Sequence, residues 1–135
     1  MDAAPGLLVE VQQQRPMPLQ GRIEAAPGEL LALVGPSGAG KTSMLRVAAG
    51  LMKPQQGRVL VGGETWCDVA QGLWRAPQQR HVGLVFQHYA LMPHLSAAGN
   101  VALSLLHRPR AEREREAAHW LAHVGLTGEL VRRRP

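Results

Sequence analysis

Cysteine, tyrosine and phenylalanine each occur once in the 135 residues, and no apolar run is long. Each scarcity excludes something. A lone Cys67 has no partner for an internal disulfide, so a reducing compartment is expected, with Cys67 as a small structural residue. No stretch nears the roughly 20 apolar residues that cross a bilayer, and Met1-Asp2-Ala3-Ala4-Pro5 lacks the basic-then-apolar order of an export signal. The expectation is a cytoplasmic protein. Internal repeats and low-complexity tracts are also missing. Aromatic residues make up 4% of the chain, too few to interleave with its basic residues as a stacking platform for nucleic acid. The net charge of +5 comes from arginines that are spread thinly and then gather in Arg108, Arg110, Arg113, Arg115 and Arg132-Arg133-Arg134, of which Arg113 and Arg115 alternate with Glu112, Glu114 and Glu116 as on a solvated, charge-paired helix face. No nucleic-acid partner is expected. His88 and His94 have no cysteine or acidic ligand nearby and read as surface residues rather than a metal pair.

What is present is concentrated in residues 35 to 43, Gly-Pro-Ser-Gly-Ala-Gly-Lys-Thr-Ser, which fill every required position of the phosphate-binding pattern G-x-x-x-x-G-K-[ST]. Small residues let successive backbone N–H groups curl around an anion, and a Cβ at Gly35, Gly38 or Gly40 would obstruct that approach. A helix, Lys41 to Gly50, is expected to follow, with its positive dipole end toward the same phosphates. Lys41 supplies a formal charge for the β- and γ-phosphates, and Thr42 a hydroxyl for the octahedral shell of Mg²⁺. The nucleotide-binding candidates are therefore Gly35, Pro36, Ser37, Gly38, Ala39, Gly40, Lys41, Thr42 and Ser43, with ATP or GTP and Mg²⁺ as ligands.

The flanking sequence has the required context. Glu29 to Val34 is a short continuous apolar run, expected as a strand buried on both faces. Met44, Leu45, Val47, Ala48 and Leu51 recur at helical spacing after the loop, and Gly50 and Pro54 close the helix. Other strands are expected at Gly6 to Gln12, Gln20 to Ala25, Arg58 to Val61 and His81 to Phe86, the last also buried. Thr65 to Gln79, with Trp66 and Trp74, reads as loop with short strand pieces. Ser96 caps a helix through Ala97, Val101, Ala102 and Leu105. A further helix from about Ala111 to Val124 places Ala117, Trp120, Leu121 and Val124 on one face.

With the phosphate loop and residues 80 to 100 both in view, the chain resembles the nucleotide-binding subunits of ABC transporters. Gly35 to Ser43 matches that family's Walker A, and Ala48-Ala49-Gly50-Leu51 with Pro54 and Gly57 matches its continuation. Arg80-His81-Val82-Gly83-Leu84-Val85-Phe86-Gln87 resembles the strand leading to the Q-loop. The resemblance implies that Gln87 contacts Mg²⁺ and the attacking water, a catalytic and metal-binding role shared with Thr42 on the metal side, and links the site to a membrane partner. Leu91-Met92-Pro93-His94-Leu95-Ser96 resembles the stretch that in importers lies against the transmembrane permease. The region from Tyr89 to Leu95 is thus the expected docking surface, with Tyr89, Met92 and Leu95 as exposed apolar candidates; packing within the chain's own helical part is the alternative. Pro-His-Leu-Ser with Gly99-Asn100-Val101 looks most like importers of molybdate and related oxyanions.

The fold implied is α/β, a P-loop NTPase of the ABC type: an antiparallel β subdomain and P-loop core over 1–94, then the beginning of a helical subdomain over 95–135. It also implies ATP with Mg²⁺, a homodimer of subunits, and a peripheral position on the inner face of the cell membrane. Two departures stand out. No Phe, Tyr, Trp or His precedes Gly35 to stack on adenine, leaving Arg15 and Met17 as substitutes. The signature motif, Walker B acid and switch histidine are absent from residues 1–135, so the chain reads as one truncated domain that binds but does not hydrolyse ATP by itself. A sheet lacking its later strands is expected to leave an apolar side unpaired. The alternatives are a non-catalytic nucleotide-binding module or another P-loop NTPase such as a small-molecule kinase or GTPase.

Overall fold

The computed structural model describes residues 5–135. Met1 to Ala4, part of the stretch read for an export signal, lie outside them. The chain forms two compact units that divide between Leu84 and Val85.

In the first unit, β1 (Leu7–Gln13), β2 (Leu19–Ala25), β3 (Gln56–Val61), β4 (Glu64–Asp68) and β5 (Leu73–Trp74) make one antiparallel sheet in the order β2-β1-β3-β4-β5. Period-two alternation sets its faces. Val9 and Val11 of β1 point to the same side as Leu19 and Val59, and α1 (Lys41–Ala49) covers that side with Met44 and Val47. Val9, Val47, Val59 and Cys67 are fully buried, each aliphatic side chain contributing about 1.5–3 kcal/mol relative to exposure. A bulge between Val59 and Leu60 shifts the register, so that Cys67 pairs Val59 and Thr65 pairs Leu60. Trp66 is skipped, and it and Cys67 both end buried.

The opposite face carries charge. Glu10 stands across from Arg22 on one side and Arg58 on the other, accepting from Arg22 Nη1 at 2.8 Å and Arg58 Nε at 2.6 Å. The hydrogen bond from Arg58 is the main reason that the Glu10 carboxyl titrates below its ordinary range. Gly57 is backbone-driven: its φ is +132° and a Cβ there would collide with the Glu10 carbonyl.

Two expected buried strands are corrected. Residues 29–34 and 81–86 lie outside the sheet, with Leu30 95% and Val34 93% exposed. A doubly buried strand needs a hydrogen-bonded neighbour and cover on both faces. Among the described residues these runs have no ladder partner, so their apolar side chains remain in solvent; Leu33 alone of the first run packs against the core.

The second unit is helical. In α2 (Ala97–Leu103) the Ser96 hydroxyl accepts from the Gly99 N–H at 3.1 Å, the expected cap. The next helix, α3 (Arg110–His123), packs Ala117 and Leu121 inward. Trp120 and Val124, expected on that face, are exposed; the i, i+4 pair 117/121 alone meets the neighbouring elements, because the contact is a narrow stripe. A 3₁₀ turn, Gly128–Arg132, follows, and the Arg133 carbonyl accepts from the Ala97 N–H at 2.8 Å.

Candidate functional site

The phosphate loop joins the exposed run 29–34 to α1. Gly38 has φ +80° and open space where a side chain would stand, and Gly40 has φ +95° with Leu19 Cδ1 2.5 Å from the position of an added Cβ. Both positions favour glycine on conformational grounds, and Gly40 also on space. The Ala39 N–H bonds the Pro36 carbonyl at 3.2 Å, and the Met44 N–H bonds the Gly40 carbonyl at 2.9 Å, which starts α1.

Lys41 leaves the first turn of α1 and bends back over the loop. Its Nζ donates to the Gly35 carbonyl at 2.5 Å and the Pro36 carbonyl at 2.8 Å. These oxygens hold the ammonium above residues 35–40, and a phosphate oxygen entering the loop would meet it there. Pro36, Ser37, Gly38, Ala39 and Thr42 are exposed, and Ser43 is half-buried. The Ser43 hydroxyl donates to Met17 Sδ at 3.5 Å, which brings the β1–β2 turn against the first turn of α1. Of the two residues considered for a base-binding surface, Met17 is therefore placed beside the loop by a contact. Gln13 Nε2 in turn donates to the Met17 carbonyl at 3.2 Å. Neither Leu19 behind Gly40 nor Gln13 behind Met17 carries a signal in the sequence, because both act through contacts between distant segments.

A nucleoside triphosphate fits what is present: an open loop of small residues, positive φ at Gly38 and Gly40, a helix start and one ammonium. For Mg²⁺ the loop offers the exposed Thr42 hydroxyl, a hard oxygen donor suited to that ion.

Gln87 belongs to the second unit, where it is exposed at the start of a tight turn. The Tyr89 N–H bonds the Phe86 carbonyl at 3.0 Å and the Ala90 N–H the His88 carbonyl at 2.7 Å. Tyr89 and Ala90 adopt φ of +61° and +51°, each costing about 1–2 kcal/mol for a residue with a Cβ. No sequence signal marks this strain. Downstream, Asn100 organises the loop: its Oδ1 accepts from the Met92 N–H at 2.8 Å, and its Nδ2 donates to the carbonyls of Met92, Leu95 and Ser96. Tyr89, Leu91 and Met92 stand exposed, and Leu95 is half-buried.

A sequence profile described as ABC transporter matches residues 20–135. A sulfate/thiosulfate import ATP-binding protein of Agrobacterium fabrum is 44% identical over 84% of this chain and 32% of its own length. A molybdenum import ATP-binding protein of Albidiferax ferrireducens is 41% identical over 94% of this chain and 35% of its own. A trehalose/maltose import ATP-binding protein of Thermococcus litoralis is 39% identical over 84% and 31%. The chain thus spans about a third of the length of these curated relatives. Among solved structures, a dimeric ATP-binding cassette in a post-hydrolysis state, bound to ADP and Pi, superposes with a TM-score of 0.62 at 23% identity, over 96% of this chain and 61% of that one. Its likeness establishes the α/β fold of a partial P-loop NTPase.

Proposed function

Because the chain belongs to the ABC transporter family, we propose that it is the amino-terminal part of an import ATP-binding subunit, binding ATP with Mg²⁺ through residues 35–43. The observation that carries this reading is Lys41 poised over an open glycine loop at the start of α1. On it, residues 1–135 form the leading part of one nucleotide-binding domain, with the β subdomain and P-loop core in 1–94 and the start of the helical subdomain in 95–135. Thr42 and Gln87 serve Mg²⁺, and Gln87 orients the attacking water in the whole subunit. The chain alone binds but does not turn over ATP, since residues 1–135 contain no Walker B acid after Gln87.

The solute is molybdate or a related oxyanion. Support comes from the Gly99-Asn100-Val101 phrase and from relatives named for molybdenum and sulfate import, although another imports trehalose and maltose. The partner is a transmembrane permease, docked on the region Tyr89 to Leu95, where Tyr89, Leu91 and Met92 are exposed and Asn100 braces Met92 and Leu95. Two whole subunits pair as a homodimer, a reading supported by the dimeric structure of the neighbouring cassette. Among the described residues no helix is long and apolar enough to cross a membrane, which suits a peripheral position on the cytoplasmic face.

The test is a chimaera in which residues 1–135 replace the matching part of the molybdenum import protein of Albidiferax ferrireducens, in cells lacking their own copy. Molybdate uptake restored by this chimaera and not by its Lys41→Ala form supports the proposal. Uptake unaffected by Lys41→Ala contradicts the nucleotide role, and coupling to a sugar permease but not an oxyanion permease contradicts the choice of solute.

A further inference from the structure

Arg80 is the most deeply buried cation among the described residues, 4% exposed, and its guanidinium donates to main-chain carbonyls rather than to a carboxylate. Its Nη1 donates to the carbonyls of Val47 and Ala48, both at 3.0 Å. Its Nη2 donates to the Trp66 carbonyl at 3.3 Å, and its Nε to the Arg75 carbonyl at 2.9 Å. The guanidinium carbon lies 4.7 Å from the centre of the Trp74 ring and 5.9 Å from that of Trp66. Desolvation pushes its pKa below the usual arginine value, yet arginine keeps its charge at neutral pH.

Val47 and Ala48 are in the last turn of α1, at the negative end of its dipole, where the Val47 carbonyl accepts from the Gly50 N–H at 3.1 Å and keeps a second lone pair for Arg80. A buried cation with planar, forked donors is suited to that end. Gly50 completes the fit: its φ is +82°, and a Cβ there would stand 2.7 Å from Arg80 Nε and 2.8 Å from Cζ. The Trp66 carbonyl faces the β5 side of β4, where it accepts from the Arg75 N–H at 2.8 Å as well as from Arg80. Four chain segments therefore meet on one side chain: the end of α1, β4, the residue after β5, and the start of the run toward Gln87.

We propose that Arg80 is a positioning residue for nucleotide binding, anchoring the carboxyl end of α1 to β4 and β5 and thereby holding the amino end, with Lys41 and Thr42, in place for phosphate. The inference rests on the nucleotide-binding reading above. It acts through α1, nine residues long, which transmits a displacement of one end to the other as a rigid rod.

The experiment uses the 135-residue chain, its Arg80→Lys and Arg80→Met variants, and Trp74→Leu, which removes the stacked ring but keeps the four hydrogen bonds. Mg-ATP affinity is measured by calorimetry at a temperature where each variant is folded, and backbone hydrogen exchange is followed by mass spectrometry without nucleotide. Lysine has one ammonium and no fork, so it is not expected to rescue. Expected are an affinity loss of at least about fivefold in Arg80→Lys and an exchange increase of at least about tenfold confined to residues 41–52, the β1–β3 ladder being unchanged. Trp74→Leu is expected to bind within about twofold of the parent. Should Arg80→Met fail to fold, Arg80→Lys decides. Uniform loosening, unchanged affinity in Arg80→Lys, or a Trp74→Leu defect equal to that of Arg80→Lys at equal stability overturns the proposal. If the parent chain binds no Mg-ATP, the nucleotide-binding reading fails with the positioning role, while the exchange pattern still decides whether Arg80 anchors α1.

Discussion

Gly40→Ala separates two demands that the phosphate loop makes on its glycines. The substitution keeps φ near +95° only at a left-handed cost of about 1–2 kcal/mol. The new methyl would also stand 2.5 Å from Leu19 Cδ1, inside the ordinary 3.5–4.0 Å separation by about 1 Å. Leu19 is 5% exposed and packs in the core with Val9, Val11 and Met44, so its δ-methyl yields only by disturbing that core. Overpacking of this kind adds about 1–2 kcal/mol. Gly38→Ala is the matched control, with φ +80° and nothing within 4 Å, and should cost only the conformational 1–2 kcal/mol or so. Urea unfolding followed through the fluorescence of buried Trp66 measures both. Gly40→Ala is expected to lower stability by about 2–4 kcal/mol, and in a Leu19→Ala background its penalty should shrink to that of Gly38→Ala. Equal penalties for the two alanines in the parent chain would refute the close approach of β2 to the loop.

Three further outcomes follow from the same geometry. The folded-state pKa of Glu10 is depressed, first by the Arg58 hydrogen bond. Its contribution is therefore present above the unfolded carboxyl value and lost as pH falls through the folded one, so Glu10→Gln should flatten the acid limb of stability below about pH 4.3, by under about 1 kcal/mol at neutral pH because the pair is partly solvated. Ser96→Ala removes the cap on the Gly99 N–H and should destabilise the second unit by about 0.5–2 kcal/mol, read from its thermal melting by circular dichroism. Asn100→Ala removes the bonds that brace Met92 and Leu95 and should speed amide exchange in residues 89–95 while α3 keeps its protection, at a cost of about 1–2 kcal/mol to the second unit.

Features that depend on local chemistry were legible before the structure. The strands expected at Gly6 to Gln12 and Gln20 to Ala25, the helix after Gly40 and the Ser96 cap are each specified within a few residues. The phosphate loop is the clearest case, because its pattern states a backbone conformation directly. The runs 29–34 and 81–86 were misplaced as buried strands for the opposite reason. Continuous apolarity signals that partners are required, and it cannot supply them; without ladder neighbours Leu30 and Val34 stay in solvent. The face of α3 was overread at Trp120 and Val124, since helical periodicity gives a stripe and its width is set by what packs there. Arg80 was legible only as the head of the phrase leading to Gln87, and its burial was not. That burial depends on the Trp66 carbonyl, the bare Cα of Gly50 and the end of α1 converging in space.

The central claim is that residues 35–43 of this chain form a working phosphate cradle. Calorimetric titration of the 135-residue chain with Mg-ATP, beside Lys41→Ala, tests it most directly. Saturable binding to one site, abolished in Lys41→Ala with its fold intact by circular dichroism, is the expected result. Binding of equal strength in both chains, or none in a folded parent chain, would contradict it.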